Sequence, residues 1–265
     1  MPPIYLVVYF SLMYVYLYDD YLKQKKYDVT MKAIETRLTD FGIAGKIIRL
    51  QQFTNAHAVV EEEISKGATT VVIVGNDRTF GQVLSRAATC RTLFAFLPVG
   101  PENSIAEVLG IPEGVAACDV LSKRRKVRLD VGWVNNRYFI SQLHIFPHNI
   151  SVEYDERFSV SAKNKKMELV VCNLQPFVWE GKGKKNYIIH PQDGKLEAFL
   201  RPLEKKGLFK AQYETPSIFP FEEMVVSSAT PFIMEADGKK TKELKVMIRL
   251  AKNRVEMVVG KMRRF

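Results

Sequence analysis

Residues 71–87 read VVIVGNDRTFGQVLSRA, and this stretch decides the fold class. Four apolar residues run into Gly75, a short polar turn follows, and the next segment has helical spacing. A buried strand that enters a helix through a glycine turn is a common phosphate site, because the first helical turn offers unpaired N–H groups and a partial positive charge. Asn76 and Arg78 stand in this turn, where phosphate loops favour glycine. The stretch therefore predicts a nucleotide site and leaves three alternatives open. The site is functional, it binds phosphate in a modified way, or it is a remnant that no longer binds nucleotide.

Strands and helices alternate on both sides of this stretch up to about residue 124. The apolar spacing predicts strands at 13–18, 46–50, 69–74 and 93–97, and helices at 23–41, 56–66 (with Asn55 as its cap), 80–88 and 104–109. This alternation is typical of a parallel sheet covered by helices on both faces. Ligands of such sheets bind at the carboxyl ends of the strands, where the loops after Val74 and Leu97 fall.

The pattern changes after residue 125, where short strand candidates are separated by polar turns. Asn135-Asn136 predicts a hairpin turn, because asparagine tolerates positive φ. We therefore expect two domains. Residues 1–125 form an α/β, Rossmann-like, nucleotide-binding-like domain, and residues 126–265 form a mostly antiparallel β-sandwich.

The composition is that of a globular protein, with 265 residues, 47% hydrophobic and 26% charged. A net charge of +10 favours anionic partners such as nucleotides or an acidic membrane surface. No nucleic acid partner is expected, because the basic clusters are not interleaved with aromatic residues. No zinc spacing occurs among the cysteines and histidines, which are Cys90, Cys118, Cys172, His57, His144, His148 and His190. We expect the histidines to be structural or surface residues and the cysteines to be reduced, which fits a cytoplasmic setting.

The N-terminal stretch 4–18 carries no charge before Asp19 and is short for a bilayer span, which needs about 20 residues. Three alternatives remain open for it. It is an extra buried strand, a shallow membrane-contacting segment, or the result of a translation start placed before Met13.

The order of several elements resembles the diacylglycerol kinase catalytic domain family of lipid kinases, which is distantly similar to NAD kinases. GNDRT at 75–79 stands where the family has GGDGT, and PVGPENSIAEVLGIP at 98–112 stands where it has PxGTxNDFAxxLGIP. β strands follow, and Asp237-Gly238-Lys239 stands where DGE is usual. Residues 18–21, YDDY, replace the usual NPxSG phosphate loop.

The resemblance implies ATP-dependent phosphoryl transfer to a lipid hydroxyl at the inter-domain cleft, with ATP and Mg²⁺ as cofactors. It implies that Asp77 acts on Mg²⁺-phosphate or on the hydroxyl and that Asp237 is a general base, although both are also typical turn-stabilising residues. No metal ligands are assigned. Asn103 caps the helix at Ser104, contacts nucleotide, or both. The implied nucleotide-binding residues are Gly75, Asn76, Arg78, Thr79, Gly100, Glu102 and Asn103.

The departures from the family pattern keep other functions open. Arg78 either blocks the loop or binds phosphate with its guanidinium, and Pro101 removes an N–H donor. Glu102 adds negative charge, and Lys239 replaces a carboxylate. One alternative is an inactive relative that binds a nucleotide or another phosphate ligand. Another is a peripheral module that contacts an anionic membrane through its basic face. The oligomeric state stays open.

Overall fold

A computed structural model describes residues 13–51, 54–154, 158–161, 165–181, 183–187, 189–206 and 210–265. The alternatives for the N-terminal stretch concern mainly residues 4–12, which lie outside the described residues. Within the described ranges, no helix is both long and apolar enough to cross a bilayer.

The N-terminal half alternates strands and helices, as predicted. In chain order these are β1 (Tyr14–Asp19), α1 (Asp28–Asp40), β2 (Lys46–Leu50), α2 (Ala56–Ser65), β3 (Thr70–Gly75), α3 (Asp77–Ala87), β4 (Leu93–Pro98), α4 (Ser104–Leu109) and α5 (Ala117–Lys123). β1 to β4 are parallel, and every residue of β3 and β4 is buried. The continuous apolar runs of the sequence reflect this burial on both faces.

From residue 126 onward, all regular elements in the described residues are strands. They are β5 (Lys126–Leu129), β6 (Gly132–Val134), β7 (Arg137–Phe139), β8 (Gln142–His148), β9 (Ser151–Tyr154), β10 (Phe158–Ser161), β11 (Met167–Cys172), β12 (Val178–Gly181), β13 (Gly183–Asn186), β14 (Leu196–Lys206), β15 (Lys210–Tyr213), β16 (Ser217–Phe221), β17 (Glu223–Ala236), β18 (Lys239–Leu250) and β19 (Val255–Val258).

The second sheet is entirely antiparallel and has 11 strands, as expected of the β domain. Its main path is β15-β14-β11-β8-β17-β18-β6-β7, with β9, β10 and β16 paired beside it. Inward side chains from strands across this sheet, from Val134 on β6 to Ile248 on β18, form one hydrophobic core. Asn135 (φ 41°) and Asn136 (φ 67°) form the predicted hairpin turn between β6 and β7.

The first sheet contains two strands that the boundary at residue 125 had assigned to the second domain. Its order is β2-β1-β3-β4-β19-β5, with β19 parallel to β4 and antiparallel to β5. β19 returns to the first sheet and pairs with the backbone N–H and C=O groups at the edge of β4. This pairing buries Val255, Met257 and Val258 in the hydrophobic core around the first sheet. The chain thus crosses twice between the sheets, which holds the β domain against the carboxyl ends of β1 and β3.

Three local predictions need correction. α1 begins at Asp28 instead of residue 23, because residues 20–27 form two 3₁₀ turns. α3 begins at Asp77 instead of residue 80, because Asn76 and Thr79 form a capping box. Asn55 precedes α2, but its side chain makes no capping hydrogen bond.

Candidate active site

A cleft of about 830 Å³ lies between the carboxyl ends of the first sheet and the β domain. Residues after β1, at the start of α3, on β7 and at the β17–β18 turn line it together. They include Asp19, Asp20, Tyr21, Lys23, Asn76, Arg78, Thr79, Gln82, Arg86, Arg137, Tyr138, Asp237, Gly238, Lys239 and Lys240. Of the predicted site residues, Asn76, Arg78, Thr79 and Asp237 are among those that line it.

The start of α3 is a closed turn built by Gly75, Asn76 and Thr79. The Asn76 side chain accepts a hydrogen bond from the Thr79 N–H at 3.2 Å, and the Thr79 hydroxyl donates to Asp19 at 2.6 Å. A Cβ on Gly75 would lie 2.5 Å from Thr79 Oγ1, so the close approach requires glycine. The buried Thr79 therefore joins the end of β1 to the start of α3.

Three of the first four N–H groups of α3 already have acceptors within the protein. The Asp77 N–H donates to the Glu102 carbonyl at 2.9 Å, and the N–H groups of Thr79 and Phe80 donate to Asn76. In phosphate loops such groups bind the ligand. An anion in this cleft therefore depends mainly on donors from side chains.

Asp77 joins the two predicted loops. Its carboxylate accepts hydrogen bonds from the Ser104 hydroxyl at 2.7 Å and from the Ile105 N–H at 3.1 Å, at the start of α4. Burial raises the pKa of Asp77, although these hydrogen bonds act in the opposite direction. The two loops thus lie side by side, but Asp77 is not among the described residues that line the cleft.

The second loop is ordered by its own contacts and by tyrosines from the segment after β1. Gly100 has φ +93°, and a Cβ there would lie 3.1 Å from the Tyr21 hydroxyl oxygen. The Tyr21 hydroxyl donates to the Val99 carbonyl at 2.5 Å, and its ring packs edge-on against Tyr27. Tyr21 therefore covers the backbone that phosphates approach in glycine-rich loops.

Asn103 and Glu102 also build this loop. The buried Asn103 amide donates to the Gly100 carbonyl at 2.7 Å and to Glu113 at 3.0 Å. It does not cap α4, because the Asp77 carboxylate accepts the N–H of Ile105 there. Glu102 is exposed with φ +67°, and its carbonyl is the acceptor for the Asp77 N–H.

Three cations in the cleft are free to bind an anion. The side chains of Arg78, Arg137 and Lys239 make no hydrogen bond or ion pair within the part of the chain that the structure describes. Lys23, by contrast, is paired with Asp20 at 2.7 Å. Guanidinium groups bind phosphate oxygens in pairs, so this set fits a di- or triphosphate.

Asp237 lies at the β17–β18 turn with φ +45° and lines the cleft. Its carboxylate accepts backbone N–H groups of Ile140 at 2.8 Å, Ser141 at 3.0 Å and Gln142 at 3.2 Å. Burial raises the pKa of Asp237 to about 6, against the effect of these donors. Asp237 Cβ also lies 3.0 Å from the Cβ position of Gly81, so the turn contacts α3.

Two carboxylates at the end of β1 fit a Mg²⁺ ion that is shared with ligand phosphates. Asp19 accepts from Thr79 and from the Tyr21 N–H, and Asp20 accepts from Lys23. Lone pairs remain on both carboxylates, and Mg²⁺ ordinarily binds one or two protein carboxylates together with substrate phosphates.

Sequence reasoning missed several of the residues that line the cleft. Asp19 ends a buried strand and Asp20 follows it, which is the same signal that identified Gly75. Arg137 comes from a hairpin of the β domain, and no local sequence signal brings this hairpin to the first sheet. Lys239 stands in the motif that resembles DGE, where the sequence indicates only the loss of a carboxylate and not a cation that binds an anion.

Three comparisons relate the chain to known proteins. Residues 18–134 match the family described as "Diacylglycerol kinase catalytic domain". A segment of 89 residues is 34% identical to "Probable lipid kinase YegS-like" proteins of Pseudomonas aeruginosa strains UCBPP-PA14 and PAO1, and covers 33% of this chain and 30% of each relative. The match thus spans about 30% of the length of these relatives. The crystal structure of a diacylglycerol kinase from Bacillus anthracis str. Sterne has the same fold, with a TM-score of 0.74 and 15% identity over 95% of this chain and 98% of that one.

Proposed function

Because residues 18–134 belong to the diacylglycerol kinase catalytic domain family, we propose that this chain binds ATP in the cleft and phosphorylates a lipid hydroxyl. One observation carries the proposal. Three unpaired cations, Arg78, Arg137 and Lys239, line the same cleft as Asp237, whose carboxyl has a pKa of about 6. Phosphoryl transfer needs both charge neutralisation and a group that accepts the hydroxyl proton.

In this proposal side chains replace the amides of the phosphate loop. Arg78 and Arg137 bind phosphate oxygens with their guanidinium groups, and Lys239 adds a third positive charge. Asp19 and Asp20 would hold a Mg²⁺ ion, which would neutralise part of the phosphate charge. Binding is then electrostatic in large part, so the affinity for Mg·ATP falls as the salt concentration rises.

Asp237 accepts the proton of the acceptor hydroxyl in this proposal. ATP, when bound, supplies the phosphoryl group. The three backbone N–H groups that Asp237 accepts fix the orientation of its carboxylate. At neutral pH a carboxylate with a pKa of about 6 is ionised and is a stronger base than an exposed aspartate. Asp77 is assigned a positioning role, since its carboxylate holds the two loops together.

The second candidate is a relative that binds phosphate ligands without transfer. The occupied N–H groups of Asp77, Thr79 and Phe80, and the position of Tyr21 over Gly100, favour it. A phosphate held by side chains alone is bound with less fixed geometry than one held by backbone amides.

Calorimetry with Mg·ATP, followed by an assay for phosphorylated diacylglycerol in mixed micelles, tests both candidates. We expect Arg78→Ala to weaken binding by roughly tenfold, which corresponds to the loss of one charge-assisted hydrogen bond. Arg91→Ala is the matched control, because Arg91 is exposed just before β4, at the opposite end of the sheet. Binding with turnover supports the kinase, and binding without turnover supports the second candidate. Absence of binding excludes both.

The β17–β18 hairpin is our candidate for the surface that contacts an anionic membrane. Ile233, Leu244 and Met247 are exposed on it, and Lys242 and Lys245 lie on the same strand as the latter two. Apolar side chains among lysines fit the headgroup region of an anionic bilayer. Leu244→Glu is expected to reduce co-sedimentation with vesicles that contain phosphatidylserine, and unchanged co-sedimentation would exclude this surface.

A further inference from the structure

A second group of side chains, outside the cleft, has the composition of a metal site. His57 and Glu61 lie on α2, and Cys90 lies between α3 and β4. One ligand atom from each lies within 4.8 Å of the others, and this is the one such group of three among the described residues.

The fold brings these residues together for identifiable reasons. Residues four apart share a helix face, and the His57 Nδ1 atom is 3.4 Å from Glu61 Oε2. α2 packs against α3, and after α3 the Cys90 N–H donates to the Ala87 carbonyl at 3.0 Å. This turn brings the Cys90 sulfur to the side of α2.

The set of donor atoms selects the kind of ion. Imidazole nitrogen, thiolate sulfur and carboxylate oxygen are the ligands of Zn²⁺, whereas Mg²⁺ and Ca²⁺ prefer oxygen alone. Tetrahedral Zn²⁺ places its ligand atoms about 3.4–3.7 Å apart. Small side-chain rotations therefore convert the observed group into a coordination sphere.

Thr89 supplies a second, independent observation. Its hydroxyl oxygen is 3.4 Å from His57 Nε2. When Nε2–H donates to this hydroxyl, His57 Nδ1 is unprotonated and available to a metal, on the side of Glu61. Hydrogen bonds of this kind orient histidine ligands in zinc sites.

We propose that His57, Glu61 and Cys90 form a Zn²⁺ site that joins α2 to the segment after α3. His57 and Thr89 also line a groove of about 650 Å³, so solvent reaches the group. Three protein ligands leave a fourth position for water. The sequence gives no sign of this site, because one histidine and one cysteine 33 residues apart match no zinc spacing.

Titration of the full, EDTA-treated and desalted chain with Co²⁺ tests the proposal. We expect one equivalent to bind, with a thiolate-to-Co²⁺ charge-transfer band that Zn²⁺ abolishes by displacement. Zn²⁺ at about one hundred times its Kd is expected to raise Tm by roughly 5 °C. Cys90→Ser is expected to remove the band. Glu61 is exposed, so we expect Glu61→Gln to fold as the wild type does and to weaken Co²⁺ binding by roughly tenfold.

Two control variants separate this site from nonspecific binding. Cys118→Ala removes a buried thiol elsewhere, and Glu62→Gln removes the neighbouring carboxylate on α2, which is paired with Lys66. Both are expected to retain the band and the affinity. The proposal is overturned if the wild-type chain shows no band, if the band persists in Cys90→Ser, or if Glu61→Gln binds Co²⁺ as tightly as the wild type does.

Discussion

Replacement of Asp77 by alanine removes the carboxylate that joins the start of α3 to the start of α4. The Ser104 hydroxyl and the Ile105 N–H lose their acceptor. Each hydrogen bond to a charged group contributes about 1.5–3 kcal/mol, and the burial that raises the pKa of Asp77 offsets part of the sum. We expect Asp77→Ala to lower the free energy of unfolding by about 2–3 kcal/mol. Asp77→Asn, whose amide can still accept from Ile105 and donate to Ser104, is expected to cost about 1 kcal/mol.

Urea unfolding followed by circular dichroism measures both values, and turnover by the two variants separates positioning from chemistry. A positioning role predicts that Asp77→Asn retains most of its turnover and that Asp77→Ala loses more. A free energy of unfolding for Asp77→Ala within about 0.5 kcal/mol of the wild-type value would show that the carboxylate does not join the two loops. Loss of turnover in Asp77→Asn with its stability unchanged would instead assign the carboxylate a direct part in the reaction.

Two further substitutions test the turn at Asp237 and the loop at Gly100. The folded pKa of Asp237, about 6, lies above the ordinary 3.8, so its stabilising effect is fully present below pH 3.8 and is lost as the pH rises through 6. Asp237→Asn should therefore remove a decrease of about 2 kcal/mol in unfolding free energy between pH 4 and pH 7. An unchanged pH dependence in urea unfolding would contradict this. Gly100 and Gly42 both have positive φ, but a Cβ on Gly100 would meet Tyr21, whereas a Cβ on Gly42 would have no neighbour within 4 Å. Gly100→Ala should therefore lower the free energy of unfolding by about 1–2 kcal/mol more than Gly42→Ala does. Equal Tm values for these two variants would show that Tyr21 moves away freely.

The sequence predicted the elements whose signals are local. β2 was placed at its observed bounds, and β3 was placed within one residue, because apolar runs between polar turns identify buried strands. The Asn135-Asn136 hairpin was also predicted, because its positive φ values suit asparagine.

Contacts between distant parts of the chain were not predictable in this way. β19 pairs with β4 across more than 150 residues, and short apolar runs do not indicate which sheet they join. Asp77 caps a helix that begins 27 residues later, a contact that no spacing rule describes. For the same reason, Arg137 could not be placed in the cleft from the sequence, whereas Lys239 follows Asp237 in the motif that the family resemblance relates to the cleft.

In the proposed function, side-chain cations of this cleft hold the phosphates of a nucleotide. A crystal structure of the full chain with Mg²⁺ and a non-hydrolysable ATP analogue tests it most directly. We expect phosphate oxygens within about 3.2 Å of the guanidinium nitrogens of Arg78 and Arg137, with Thr79 still hydrogen-bonded to Asn76. This expectation is contradicted if the phosphates displace that bond and bind the backbone amides of the turn, or if the analogue binds elsewhere on the protein.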